Sequence, residues 1–523
     1  MNRPTRHVLV VGNGMAGARL AEEIRHRDPD ATRFALTVVG EEPHAAYNRV
    51  LLSTVVAGAI TPRDTRLKPD GWWASRHIDV VTGVRVDRVD TAERTATLVA
   101  ADGSERVVAW GELVLATGST SFVPPTEGLQ AGTPGTAAPL ARGVVAFRTV
   151  DDCDRITRAA ESASTAVVLG GGLLGLEAAR GLLAHGIDVT IVHPQDYPMD
   201  RQLDADGGAV LSRVVQGIGA RLVLGQFVTA RHAATASEPA HVVLSDGSAL
   251  PADLLVVAAG VRPRTDLAIA MGLVVARAVV VDDRLATSVP HVHAIGECAE
   301  HRGEVPGLVQ PGWDQARVLA DVLTGADPEA TYEGTSVLTR LKAHDIDLAS
   351  MGTVDVDVHD PGHEVLAFTD PSRGRYAKLV LRQDRLVGAI LLGVGDAAGA
   401  LTQLYDTGSV VPRDRLSLML GRAITRPGAA EAVNLAEMPG TAVICRCNTV
   451  TKSAIVSAFR SGAGTVGAVA EATRATTGCG SCKGAVDGLC SWLRSSEPAS
   501  SPAPTSSTPE PVPAAAALTE GAA

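Results

Sequence analysis

Four cysteines in the last fifth of this 523-residue chain carry its sharpest chemical signal. Cys445 and Cys447 form a Cys-x-Cys pair, Cys479 and Cys482 form a Cys-x-x-Cys pair, and 31 residues lie between them. Pairs this close aim two thiolates at one point. Two such pairs supply the four sulfurs that hold a [2Fe–2S] cluster or a structural zinc ion; spacing leaves both open. A secreted disulfide framework would spread its pairs, whereas five of the seven cysteines crowd into one stretch here, as metal or redox chemistry demands. Cys490 lies outside the four-ligand set and reads as a free thiol. Cys153 and Cys298 stand alone, and Cys298 beside Glu297 reads as a small packing residue, not a peroxidatic thiol.

Two glycine turns carry the second signal. Gly12-Asn-Gly14-Met-Ala-Gly17 follows the apolar run His7 to Val11 and precedes a helical pattern from Ala18 to Arg27, with Leu20, Ala21 and Ile24 on one face. Phe34 to Val39 reads as the next strand, and Glu41 follows it. Gly170-Gly-Gly172-Leu-Leu-Gly175 repeats the pattern between Ala166–Leu169 and Leu176–Ala184, with a second strand Val189–Val192 ending at His193. In such a turn the first glycine makes the bend and the second admits a pyrophosphate. The third lets helix and strand touch, and an acid after the next strand binds ribose. One molecule cannot occupy both helix N-termini, so two dinucleotides are implied, a flavin and a nicotinamide held face to face. At His193 an acid would select a free 2′-hydroxyl and an arginine a 2′-phosphate. Histidine does neither, and Asp196 lies close, so modest selectivity leaning to NADH is expected. With a four-thiolate module attached to a flavoprotein, the cluster becomes the better reading than zinc, because a one-electron carrier gives the flavin an outlet.

Glu112-Leu-Val-Leu-Ala-Thr117-Gly118, Asp253 to Pro263 and Val292-His-Ala-Ile-Gly296-Glu297-Cys-Ala299 complete an ordered set over residues 6 to 325. This set resembles the glutathione-reductase-like flavoprotein reductases. The resemblance implies an α/β fold with two Rossmann-like dinucleotide-binding domains, a small α/β third domain and a small helical four-cysteine domain. It divides the chain into 1–120 (FAD, first part), 121–251 (NAD(P)H), 252–325 (FAD, second part), 331–425 (interface), 441–492 ([2Fe–2S]) and 497–523 (tail). It also implies that Gly12, Gly14, Gly17, Glu41, Thr117, Gly118, Gly296 and Glu297 hold FAD, with Arg49 on the flavin side. Gly170, Gly172, Gly175 and His193 would hold NAD(P)H, with Glu177 touching the nicotinamide. Tyr47-Asn-Arg49-Val-Leu-Leu-Ser53 contains no cysteine, so the redox pair many members carry is missing and disulfide reduction is not expected. Arg375 to Arg382 and Arg385 to Gly393 read as a hairpin around Gln383-Asp384.

Gly40 to Arg49, Pro198-Met-Asp-Arg-Gln-Leu-Asp204, Gly296 to His301 and Gly307 to Ala316 narrow the resemblance. With the cysteine module, similar to the bacterioferritin-associated-ferredoxin-like [2Fe–2S] domains over 441–492, they resemble two families across about 490 residues. These are the N-terminal half of assimilatory NAD(P)H nitrite reductase large subunits and the electron-transfer subunit of assimilatory nitrate reductases. This implies electron flow from NAD(P)H through FAD and a [2Fe–2S] cluster to a separate acceptor, a molybdenum nitrate reductase or a sirohaem nitrite reductase, with a homodimer possible. A stand-alone NADH oxidase is the alternative. The cysteine pairs of a sirohaem half are not found after Cys490, so the chain is not expected to reduce nitrite alone. Arg446, Lys452 and Lys483 are expected to offer a basic face around the cluster.

Composition sets outer limits. Apolar residues at 46% and charged residues at 20% are those of a globular chain, and aromatics at 3% leave the core to Val, Leu, Ala and Ile. A net charge of −11 argues against nucleic acid as the main partner. No apolar run reaches the roughly 20 residues of a membrane span, and the start shows no export signal, so a cytoplasmic protein without membrane contact is expected. Six prolines among Ser, Thr and Ala after Glu497 predict a disordered tail.

Overall fold

The computed structural model describes residues 5–132, 138–343, 346–394, 397–420, 438–445, 448, 450–477 and 482–496. The chain divides into two compact units, Met1–Ala432 and Val433–Ala523. The tail expected over 497–523 lies outside the described residues.

The first unit contains two five-stranded parallel sheets. One runs in the order Val292–Ala294, Glu112–Leu115, Arg6–Val11, Phe34–Gly40, Ile78–Thr82. Val8, Leu9 and Val10 are fully buried in its central strand, because parallel strands are covered on both faces. The helices Met15–Arg27 and Val309–Thr324 pack together. Arg27 pairs with Asp321 at 2.7 Å, and the Trp313 indole donates to the Met15 carbonyl at 3.0 Å. The edge strand Val292–Ala294 comes from beyond the second sheet, so this sheet is built from two separate stretches of sequence.

The other parallel sheet runs Arg221–Leu224, Asp188–His193, Thr165–Leu169, Leu254–Val257, Val144–Ala146. This moves the boundary expected at 251/252. Leu254–Val257 belongs to the nicotinamide-side sheet, and the chain returns only through Val261–Pro263, which pairs with Ser119–Ser121 as a two-stranded crossing. A short apolar run buried on both faces carries no mark of which sheet it joins, so only the pairing decides.

Beyond these, an antiparallel sheet runs Leu338–Ala343, Ile346–Gly352, Arg385–Leu392, Arg375–Arg382, Glu364–Asp370. Its expected hairpin turns at Gln383 and Asp384, both left-handed with φ 51° and 60°, as a tight two-residue turn requires. The second unit has a two-stranded ribbon, Val443–Cys445 with Val450–Thr451, and the helices Lys452–Arg460, Val466–Thr473 and Lys483–Ser496. Ile455, Val469, Val486, Leu489, Cys490 and Leu493 form its core. Among the described residues, no helix is long and apolar enough to cross a membrane.

Candidate functional site

The first glycine turn is built for close approach. Gly12 has φ 124°, and a Cβ there would stand 2.1 Å from the Ala116 carbonyl oxygen. A Cβ on Gly17 would stand 2.0 Å from the Gly12 carbonyl oxygen, whereas Gly14 faces open space. The N-cap of the helix that begins at Met15 is Gly14, and among the described residues no side-chain cap is made there, which suits its first N–H groups to an anion. Asn13 Oδ1 is buried with no hydrogen-bond partner among the described residues. Gly296, with φ 78°, packs against Ala16, and its N–H donates to Gln315 Oε1 at 2.7 Å.

Three expected residues meet through one the sequence reading missed. Thr117 Oγ1 donates to the Arg264 carbonyl at 3.0 Å, the Arg264 N–H donates to the Gly118 carbonyl at 2.9 Å, and the Arg264 guanidinium pairs with Glu41. Glu41, Thr117 and Gly118 therefore converge beside the first turn.

A second missed residue, Arg148, organises the other end. Its guanidinium pairs with Glu297, which also accepts from Ser119 Oγ at 2.5 Å. Its carbonyl accepts from Arg49 Nη1 at 3.0 Å. Arg49 pairs with Glu42 and lies 4.9 Å from the Tyr47 ring centre. The Tyr47 hydroxyl donates to Glu42 at 2.5 Å; burial pushes its phenol pKa up, with Glu42 adding to the effect and Arg49 opposing it. Arg148 precedes the helix Val150–Ala160, whose start is fixed by a reciprocal cap between Thr149 and Asp152. That Thr-x-x-Asp signal was legible and marks where Arg148 is held.

The second turn repeats the first. Gly170 has φ 111°, a Cβ on it would stand 2.4 Å from the Ala258 carbonyl oxygen, and one on Gly175 would stand 1.9 Å from that of Gly170. Among the described residues nothing lies within 4 Å of a Cβ on Gly172, and no side-chain cap is made at the start of its helix. Glu177 is half-buried one half-turn further along. His193 is buried and belongs to the loop itself: its Nδ1 accepts from the Gly171 N–H at 3.1 Å, and its Nε2 lies 3.1 Å from Asp200. The carboxylate expected nearby is Asp196, whereas the one that His193 meets is Asp200.

In the second unit Cys445 and Cys482 are buried and within hydrogen-bonding reach of each other. The Cys482 contact holds the Cys445 thiol below its ordinary pKa; burial opposes this, and the Asn448 backbone assists. Asn448 Nδ2 lies 3.8 Å from Cys445 Sγ and donates to the Arg474 carbonyl at 2.6 Å, and the Thr476 N–H lies 3.2 Å from Cys482 Sγ. Buried, closely set sulfurs receiving N–H groups suit a thiolate-bound cluster. Cys447, Cys479 and Arg446 lie outside the described residues. The expected basic face is corrected at Lys452. Its ammonium donates to the Met438 carbonyl at 2.7 Å and lies 5.3 Å from the Trp492 ring centre, with 7% of the residue exposed. A lysine at the start of a helix beside a half-buried tryptophan packs its stem inward. Lys483 is exposed.

Comparison with known proteins matches three family models. Residues 6–316 match the pyridine nucleotide-disulphide oxidoreductase model, 338–403 the rubredoxin NAD+ reductase C-terminal domain, and 443–491 the BFD-like [2Fe-2S] binding domain. The chain is 35% identical to Nitrite reductase [NAD(P)H] of Bacillus subtilis (strain 168) over 490 residues, covering 92% of this chain and 57% of that one. It is also 35% identical to the assimilatory nitrate reductase electron transfer subunit of the same organism over 506 residues, covering 95% and 61%. It thus spans about three-fifths of the length of these relatives. A ferredoxin reductase from Rhodopseudomonas palustris is 27% identical with a TM-score of 0.67, covering 78% of this chain and 96% of that one. An NAD-dependent persulfide reductase from A. fulgidus, 24% identical with a TM-score of 0.67 over 77% of both chains, shares the fold.

Proposed function

The chain belongs to the pyridine nucleotide-disulphide oxidoreductase family, and from that premise we propose that it carries electrons from NAD(P)H, through FAD and a [2Fe–2S] cluster, to a separate acceptor protein. The observation that carries this reading is the duplicated glycine cradle. Each has an open middle glycine and an uncapped helix start, and the chain adds a four-cysteine module in its second unit.

FAD would be held by Gly12, Gly14 and Gly17 at its pyrophosphate and by Glu41 at its ribose, with Arg264 fixing Glu41. Thr117, Gly118 and Gly296 would line the cofactor's path, and Ser119 and Arg148 would orient Glu297 toward the ribityl region. NAD(P)H would be held by Gly170, Gly172 and Gly175, with His193 walling the loop and Glu177 near the nicotinamide. Bound flavin supplies the conversion from a two-electron hydride to single electrons, so the protein needs to position and insulate and needs no nucleophile of its own. Cys445, Cys447, Cys479 and Cys482 would ligate the cluster. The corresponding division is FAD over 1–120 and from about 258 to 325, nicotinamide between them, an interface domain over 331–425 and the cluster domain over 441–492.

The proposed acceptor is a molybdenum-type assimilatory nitrate reductase, supported by the 35% identical electron transfer subunit. A sirohaem nitrite reductase is the second reading, supported by the equally similar nitrite reductase. The test has two parts. Visible spectra with flavin and iron analysis should give both cofactors, and zinc without iron would sink the cluster. Cys479→Ser should leave flavin bleaching by NADH intact while stopping delivery to the acceptor. Loss of both steps together would place the cluster inside the hydride site and sink the division.

A further inference from the structure

We infer that the antiparallel sheet domain over 331–420 positions the nicotinamide dinucleotide. Its lever is Lys378, which acts on the second glycine turn through the segment Pro198–Asp204. The inference rests on the assignment of that turn to NAD(P)H.

The segment is held at both ends. Toward the turn, the Met199 N–H donates to the Gly171 carbonyl at 3.0 Å, and Asp200 lies 3.1 Å from His193 Nε2. The other nitrogen of that histidine accepts from the Gly171 N–H. Met199 is fully buried with φ 55°, a left-handed conformation that a non-glycine residue keeps only when its surroundings enforce it. Toward the sheet domain, Ser350 Oγ donates to the Gln202 carbonyl at 2.6 Å. The Tyr376 hydroxyl and the Lys378 ammonium both donate to Asp204 Oδ2 at 2.7 Å. Asp204 Oδ1 accepts from the Gly207 N–H at 3.0 Å and so caps the helix Ala205–Gly217.

One carboxylate therefore starts a helix of the nicotinamide-side domain and is neutralised by a buried cation of another domain. The Lys378 side chain is 6% exposed and that of Asp204 14%. A charge pair this enclosed is costly to break from one side, because the remaining charge stays desolvated. The strained Met199 stands five residues before Asp204 and Asp200 four, and these two hold Gly171 and His193, so loosening the pair releases the wall of the turn. Neither Lys378 nor Tyr376 lies on the dinucleotide-binding elements, so both are positioning residues.

The test uses the full chain with its cofactors, NADH as the varied substrate and ferricyanide as acceptor. Lys378→Met should raise the KM for NADH by at least about fivefold, the lower end of ordinary coupling between sites. The kcat should stay within about twofold of the parent, with FAD content unchanged. Lys378→Arg should recover most of the lost affinity, since it restores the charge. A KM unchanged in Lys378→Met, or a loss of kcat and FAD alongside the KM, would overturn the inference. If Lys378→Met fails to fold, Tyr376→Phe removes one donor to the same oxygen and must show the same split, smaller. A parent whose flavin shows no saturable reduction by NADH or NADPH refutes the nucleotide assignment itself. A parent that saturates with a variant that does not move refutes this inference alone.

Discussion

Gly17 lies so close to Gly12 that a Cβ on it would stand 2.0 Å from the Gly12 carbonyl oxygen, and Gly175 repeats this against Gly170 at 1.9 Å. The approach sets each helix start directly behind its turn, where N–H groups would meet the pyrophosphate of a proposed dinucleotide. Gly17→Ala should yield protein without flavin, seen as loss of absorption near 450 nm. Gly175→Ala should keep the flavin and lose its bleaching by NADH. Identical behaviour of the two variants would contradict separate sites for two dinucleotides.

Nicotinamide selectivity should be modest. His193 is tied to Gly171 and Asp200, so it offers neither a carboxylate to the 2′-hydroxyl nor a free cation to a 2′-phosphate. The kcat/KM ratio should lean to NADH and stay below about 100-fold, or ~2.7 kcal/mol. His193→Arg should move it toward NADPH. A parent ratio above that limit would show that another residue sets the choice.

The Cys298 thiol should be inert. It is fully buried, its sulfur lies 3.3 Å from the Ile295 carbonyl and 3.5 Å from that of Leu115, and burial pushes its pKa up. A thiol kept protonated is a poor nucleophile. Thiol reagents should leave it unmodified in the native protein, and Cys298→Ala should retain ferricyanide reduction by NADH. If that variant instead abolished a rapid oxygen-dependent NADH consumption in the parent, the oxidase reading would prevail.

Glu112 should contribute acid-sensitive stability. Burial opposes its charge, yet hydrogen bonds from His293 and His291, at 3.2 and 3.1 Å, outweigh this and hold its pKa below the ordinary carboxylate value. A depressed pKa gives stabilisation that is complete above the unfolded value and lost as pH falls through the folded one. Glu112→Gln should therefore cost roughly 1.5–3 kcal/mol near neutral pH, with the difference shrinking below about pH 4. Thermal melts of parent and variant from pH 7 to pH 3 check this, and a gap that widened on acidification would refute it.

The sequence by itself determined the two glycine cradles, the four-cysteine spacing and the hairpin at Gln383-Asp384. These are local or strictly spaced signals: a glycine is required where φ is positive or a carbonyl stands 2 Å from a missing Cβ, and paired thiolates need short spacings. Only the tertiary structure decided which charges meet. Arg148 reaches Glu297 across 149 positions and Arg264 reaches Glu41 across 223. No spacing rule links residues that far apart, so neither arginine stands out in the sequence. Lys452 looked like part of a docking face until the packing of its helix on Trp492 turned it inward. Leu254–Val257 could have joined either parallel sheet, and its partners Thr165–Leu169 and Val144–Ala146 settled it. Burial and long-range pairing are collective properties of the folded chain, and a residue's type fixes what it can bond to while the fold alone fixes what it finds there.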